Sequence, residues 1–367
     1  MTQSHLWLSG LFLVLLVAAA GCDTNNTTPS EERNTQPPKN PTDALYVCNQ
    51  AGATISVIDP DSNAVVRTVD LTNKGFSENA KPHHVVVEPD GSAWYVSLIG
   101  DDRVVKLNAR NEVVGQVSFP APGMLSLHQT TDRLYAGHTM SLQDVPSTVA
   151  VIERSEMSLV EEVRVPFERP HGMKVSPSGA YAYSSSLSTN DVAAIDTESN
   201  EVQDPVSFSE ASRQRYVQFD ISANGKTAYV TGQVAGQVQI LDLSDPASPA
   251  LVDSVNVGAE PWHPQLSDDG ETLYFGSKAA NVVYAMDTDD FGLTRITGTG
   301  IAQPHGSALS PDGQFLYISN NNLNGTYTSP SGENIGTVVV IETRTNELQT
   351  VIEVGEKPSG INTRWQP

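Results

Sequence analysis

The sequence is short of cysteine, of positive charge and of helical pattern, and each shortage narrows the choice of fold or function. Two cysteines in 367 residues, Cys22 and Cys48, exclude a disulfide scaffold. The 21 lysines and arginines are outnumbered by 43 acidic residues, for a net charge of −22. A field of that sign repels nucleic-acid phosphates, so no nucleic-acid partner is expected, while cations are drawn in. Beyond residue 20 no long apolar run occurs, and no stretch spaces its apolar residues as an amphipathic helix would. Nucleophile elbow, phosphate-binding glycine loop, zinc-protease pattern and haem-attachment motif are all missing. Nothing here demands an enzyme.

What is present begins with a targeting segment. Leu6 to Ala20 is apolar but too short to span a bilayer comfortably, and it ends in Ala19-Ala20-Gly21-Cys22. Residues 1–21 therefore read as a signal peptide. Small residues before a cysteine resemble the lipobox of bacterial lipoproteins, which implies lipidation of Cys22 and a lipid anchor to a bacterial membrane, on the periplasmic side. The n-region departs from that pattern in having no Lys or Arg, and Ala19 stands where Leu is usual. Residues 22–43 contain no aliphatic or aromatic side chain after the cysteine, so they read as a disordered tether of roughly 25 Å reach. With Cys22 lipidated, Cys48 has no partner and reads as a small buried filler in a strand.

Residues 44–367 repeat one sentence. KPHHVVVEPDGSAWYVS from Lys81, RPHGMKVSPSGAYAYSS from Arg169, EPWHPQLSDDGETLYFG from Glu260 and QPHGSALSPDGQFLYISN from Gln303 share a Pro-led strand, a polar turn and a tyrosine strand. Tyr46, Tyr95, Tyr135, Tyr183, Tyr229, Tyr274 and Tyr317 form a column through seven such units. After each tyrosine strand comes a β-branched strand closing on Asp, Asn or Glu, then a turn and a further Val-rich strand. Four strands at a spacing of about 40–50 residues define a β-propeller blade. The predicted fold is all-β: a seven-bladed propeller with four antiparallel strands per blade. The last unit stops after its innermost strand and the first unit lacks one, so the C-terminal strand is expected to complete the N-terminal blade and close the ring.

The segments YVCNQAGATISVIDPDSNAVV and YVTGQVAGQVQILDL resemble the YVTN-type propeller repeat, lactonase-like and surface-layer-like, over essentially all of residues 44–367. Blade III departs most, with Thr-Thr-Asp-Arg in place of Pro-Asp-Gly and Gly123 after its proline. The resemblance implies the fold strongly and the function weakly, because similar propellers include lactonases and denitrification enzymes with copper or haem.

The candidate site follows from where the strands begin. Innermost strands surround the axis, so their first residues ring the mouth of a central channel. His83, His171 and His305 directly follow an entry proline, Trp262 takes the same place in blade VI, and His84 and His263 come one residue later. His138 ends a second strand and approaches from the same side. Neutral imidazoles from several blades would suit Cu, Zn or Fe; equally, Pro-His-Gly can be structural, each ring bonding a neighbouring blade. Deeper in the innermost strands, Glu88, Lys174, Gln218, Asp220, Gln265, Asn362 and Arg364 are expected to face the channel, with Lys174 and Asp220 as an ion pair. Longer loops at 71–80, 138–147 and 320–336 project from the same face, and Tyr327 marks the last as a surface for a protein partner. The sequence supports first a monomeric, membrane-tethered module binding a protein or small ligand. The alternatives are a metal-binding or redox-accessory protein using the histidine ring, and a lactonase-like hydrolase for which no catalytic set can be named.

Overall fold

The computed structural model describes residues 37–139, 146–203, 206–208, 213–258, 260–333 and 335–364. Residues 1–36, read above as signal peptide, lipidated Cys22 and most of the tether, and residues 140–145 of the blade III loop lie outside them. Residues 38–367 form one compact unit. It contains seven antiparallel four-stranded sheets, with two short 3-10 turns at Thr72–Lys74 and Ile99–Asp101. The innermost strand of blade I is Pro358–Asn362, which pairs with Leu45–Asn49, so the C-terminal strand closes the ring as predicted. The remaining six blades take their strands in chain order.

The repeated residues have separable structural jobs. In the turn after an innermost strand, Ser310 Oγ bonds Asp312 Oδ1 at 2.6 Å, and the same carboxylate accepts from Gln314 N at 3.1 Å. Gly313 closes that turn at φ 67°, a conformation that glycine adopts without steric cost. At the ends of the third strands the acidic or amide residue folds back on its own turn, as Asp196 Oδ1 does on Glu198 N and Ser199 N. These contacts explain why Asp, Asn and Glu recur there.

The tyrosine column joins blades. Tyr317 donates to Asn63 Oδ1 at 3.2 Å, Tyr274 to Thr343 O at 3.2 Å and Tyr183 to Pro246 O at 2.9 Å. Each acceptor lies in the third-to-fourth turn of the next blade. Tyr95 reaches the next blade through Glu88, which it meets at 2.7 Å and which pairs with Arg154 at 2.8 Å. Tyr46 does so through Asn40, whose amide bonds both Tyr46 OH and Asn111. Asn40 belongs to the segment read as tether; its backbone N–H also bonds Ala109 O at 2.7 Å, which ties residues just before the first strand to blade II. Cys48 is fully buried and free, and burial pushes its thiol far above the ordinary range, as expected for a filler.

Candidate functional site

Three local features aim side chains at the mouth. The residue before each innermost strand (Lys81, Ala121, Arg169, Arg215, Gln303 or Lys357) or, in blade VI, before the Pro261–Ser277 bridge that leads into it (Glu260), has a positive φ between 40° and 56°. Its carbonyl accepts from the first residue after the second strand of the same blade: Ile99, Thr139, Leu187, Gln233, Lys278, Asn321 and Gln50 donate in turn. One residue further on, the pairing register shifts at the Pro-His-Gly positions of blades I to V and VII. Such a bulge twists the strand and re-aims its side chains. The glycine that follows the histidine lets innermost strands approach closely. A Cβ on Gly306 would sit 2.6 Å from Ser359 O, and one on Gly172 would sit 3.2 Å from Gln218 Oε1.

The five predicted histidines do converge. Ring centroids lie 5.9 Å apart for His83–His171, 6.1 Å for His83–His305, 5.0 Å for His263–His305 and 6.3 Å for His84–His263. Trp262 lies 5.2 Å from His305, and Lys278 Nζ stands 4.1 Å from the centre of the Trp262 ring. All five histidines are 4–9% exposed. Burial lowers the affinity of each ring for a proton. His84 is pushed down to about 3 and His171 to about 4, while His83, His263 and His305 fall well below 6.5. Neighbouring rings and the Lys278 ammonium add to the effect at His83, His263 and His305. The cluster is neutral at physiological pH. Burial, opposed by Glu260 and aided by Lys357, brings Lys278 itself down to about 8.

Two of the rings have structural partners in the next blade. His171 Nδ1 meets Val217 O at 2.7 Å, and His84 Nδ1 accepts from Leu125 N at 3.2 Å. The others are left open. His83 Nε2, His263 Nε2, His305 Nδ1 and the Trp262 indole N–H are buried without a hydrogen-bond partner among the described residues. His83 touches Gln50 Nε2 through its other nitrogen at 3.4 Å. Unpaired buried polar atoms cost roughly 1–3 kcal/mol each and ask for an explanation. Among the described residues, no three His, Cys, Asp or Glu side chains are arranged to hold one metal ion.

Other candidates serve elsewhere. His138 bonds Pro120 O at 2.7 Å and Thr148 Oγ1 at 3.2 Å and stacks on Phe119 at 4.3 Å, so both nitrogens are used locally. Gln218 bonds Met173 N at 3.0 Å and Met173 O at 3.1 Å, stitching blade V to blade IV instead of offering its amide to the channel. Glu88 faces Tyr95 and Arg154, and Arg364 is paired with Asp43. Lys174 and Asp220 form the expected ion pair at 2.6 Å, while Gln265 reaches the same carboxylate at 3.3 Å. Tyr327 donates to Glu353 at 2.8 Å, and its loop is held by bonds from Asn322 to Tyr327 O and Ile335 O. Sequence reading missed Lys278 and Gln50. Both are the first residue after a second strand, a position the repeat marks but no motif signals.

This architecture is that of the lactonase-type propellers. The sequence model described as "Lactonase, 7-bladed beta-propeller" matches residues 135–325, and the chain belongs to that family. No curated protein matches it by sequence. Among solved structures it is similar to the periplasmic gluconolactonase of Pseudomonas aeruginosa, at 19% identity and a TM-score of 0.67, covering 88% of this chain and 99% of that one. It is also similar to a chain of hydrazine synthase from Kuenenia stuttgartiensis, at 20% identity and a TM-score of 0.63, covering 77% of this chain and 89% of that one. At these identities the likeness is one of fold.

Proposed function

We propose that this propeller binds a small polar molecule at the mouth of its axial channel, tethered by lipid at Cys22 on the periplasmic side of a bacterial membrane. The observation that carries the reading is the set of open, buried nitrogens on His83, His263, His305 and Trp262. A ligand with hydroxyl or carbonyl groups would satisfy them, and neutral imidazole serves as donor or acceptor according to tautomer. Lys278 and Lys357 make the immediate surroundings positive, which favours a neutral or anionic ligand over a bare cation. Trp262 provides the reporter. Its emission should change saturably as lactones or sugar acids are added, and the response should vanish in His263→Ala/His305→Ala. A flat response to every such ligand would remove the reading. Metal analysis of tag-free protein covers the remaining class: near-stoichiometric Cu, Zn or Fe, lost in that double variant, would replace the organic ligand by a metal.

Family membership supports a second reading, hydrolysis of a lactone in the same place. An open imidazole nitrogen would take a proton from water as the water oxygen attacks the lactone carbonyl. The Lys278 ammonium or the indole N–H would steady the oxyanion, and the ring C–O bond would break as the proton passes to the departing alkoxide. Turnover of glucono-δ-lactone that is unchanged in His305→Ala and Lys278→Met would sink it.

A further inference from the structure

A cavity of about 380 Å³ opens beside the mouth between blades IV and V, lined by Glu168, Arg169, Ser188, Thr189, Arg213 and Arg215 among others. Three arginines line it, in a chain that carries only 21 basic residues against 43 acidic ones. Among the described residues none of the three has a carboxylate within salt-bridge distance, although Glu168 lines the same cavity. The nearby Asp191 is engaged by the Thr189 hydroxyl. Three like charges lining one hollow repel each other, and an anion between them turns that repulsion into attraction.

The frame around the hollow is fixed. Arg169 and Arg215 are the entry residues of consecutive blades, with φ of 55° and 53°. Their carbonyls accept from Leu187 N at 3.0 Å and Gln233 N at 3.1 Å. Ser186 Oγ donates to Glu168 O at 2.6 Å and accepts from Ser188 N and Thr189 N, both at 3.0 Å, which fixes the part of the wall formed by Glu168, Ser188 and Thr189. Asn190 Oδ1 takes Gln214 N at 2.8 Å and so anchors the segment that carries Arg213 and Arg215. Planar, permanently charged forks on a rigid frame match the paired oxygens of a carboxylate or a phosphate monoester.

We propose that this cavity is an anion-binding site that takes the oxyanion group, phosphate monoester or carboxylate, of a small molecule. It uses none of the histidine cluster, so it stands or falls independently of the ligand at the channel mouth. The test is calorimetric titration of the full chain with inorganic phosphate and, separately, with acetate, at low ionic strength. Saturable one-to-one binding of at least one probe is expected, weakened at least tenfold in Arg169→Ala/Arg215→Ala and severalfold in Arg213→Ala. Arg295→Ala, an exposed arginine on the outer strand of blade VI, should bind as the parent does. The stronger probe tells phosphate from carboxylate chemistry. Circular dichroism checks folding, and the exposed Arg213 keeps the test alive if the double variant fails to fold. Absence of saturable binding of either probe, or equal affinity in all the arginine variants, overturns the proposal.

Discussion

His171 and His84 show how burial turns a titratable ring into a structural one. Each has a nitrogen engaged with a neighbouring blade, and each is held below its ordinary value of 6.5, at about 4 and about 3. The unfolded chain takes up a proton near pH 6.5, whereas the folded chain resists until pH 4 or lower. Their contribution to stability is therefore full above about pH 6.5 and is lost as pH falls toward 4, at roughly 1.4 kcal/mol per unit for each ring. Unfolding free energies measured in urea from pH 8 to pH 4 should show this slope, and His171→Gln should reduce it by one ring's share, about 1.4 kcal/mol per pH unit. An unchanged slope in that variant would mean that His171 is protonated in the folded protein. Lys278 titrates in the opposite part of the range. With its ammonium 4.1 Å from the Trp262 ring centre and its pKa brought down to about 8, tryptophan emission should change with a midpoint near pH 8. In Lys278→Met that transition should be missing.

At the scale of strands and turns, the repeat itself is the readable signal, because seven copies expose what each position must do. The tyrosine column, the Pro-Asp-Gly turn and the acidic third-strand ends were all legible in this way, and so was the convergence of the histidines. Their bonding was not. His84 meets Leu125 and His171 meets Val217 across blade boundaries, where the sequence offers no spacing rule. Lys278, Gln50, Arg169 and the Arg213–Arg215 segment are far apart in sequence, and no motif links them. The column also yields a contrast. Tyr317→Phe removes a bond to the next blade and should cost about 1 kcal/mol. Tyr135→Phe should cost nothing or stabilise, because the Tyr135 hydroxyl is buried without a partner among the described residues. Gly306→Ala, which forces a Cβ against the Ser359 carbonyl, should cost roughly 1–3 kcal/mol in the same denaturation assay. Equal losses in the two tyrosine variants would refute the stapling role of the column.

The whole molecule depends on one long-range closure. Blade I borrows its innermost strand from Pro358–Asn362, more than three hundred residues from its partner Leu45–Asn49 in sequence. Ser359 Oγ donates to His83 O at 3.0 Å, with Cys48 O and Pro82 O as alternative acceptors at 3.3 Å, so the closing strand ties blade I to blade II at the site itself. Gly360 leaves room for that approach: a Cβ there would lie 2.5 Å from His83 O. Contacts so distant in sequence are slow to form, and until they do Leu45–Asn49 remains an unpaired edge. A chain ending at residue 356 should therefore fold with a lowered melting temperature and associate through the open Leu45–Asn49 edge. The effect should exceed that of any single substitution above, because a whole ladder is lost rather than one bond. Because the seam reaches His83, the truncated chain should also lose ligand response at the mouth. Adding back a synthetic peptide of residues 355–364 should restore both the melting temperature and the monomer in size-exclusion chromatography. If the truncated chain stays monomeric and melts as the full chain does, closure is not what holds the ring.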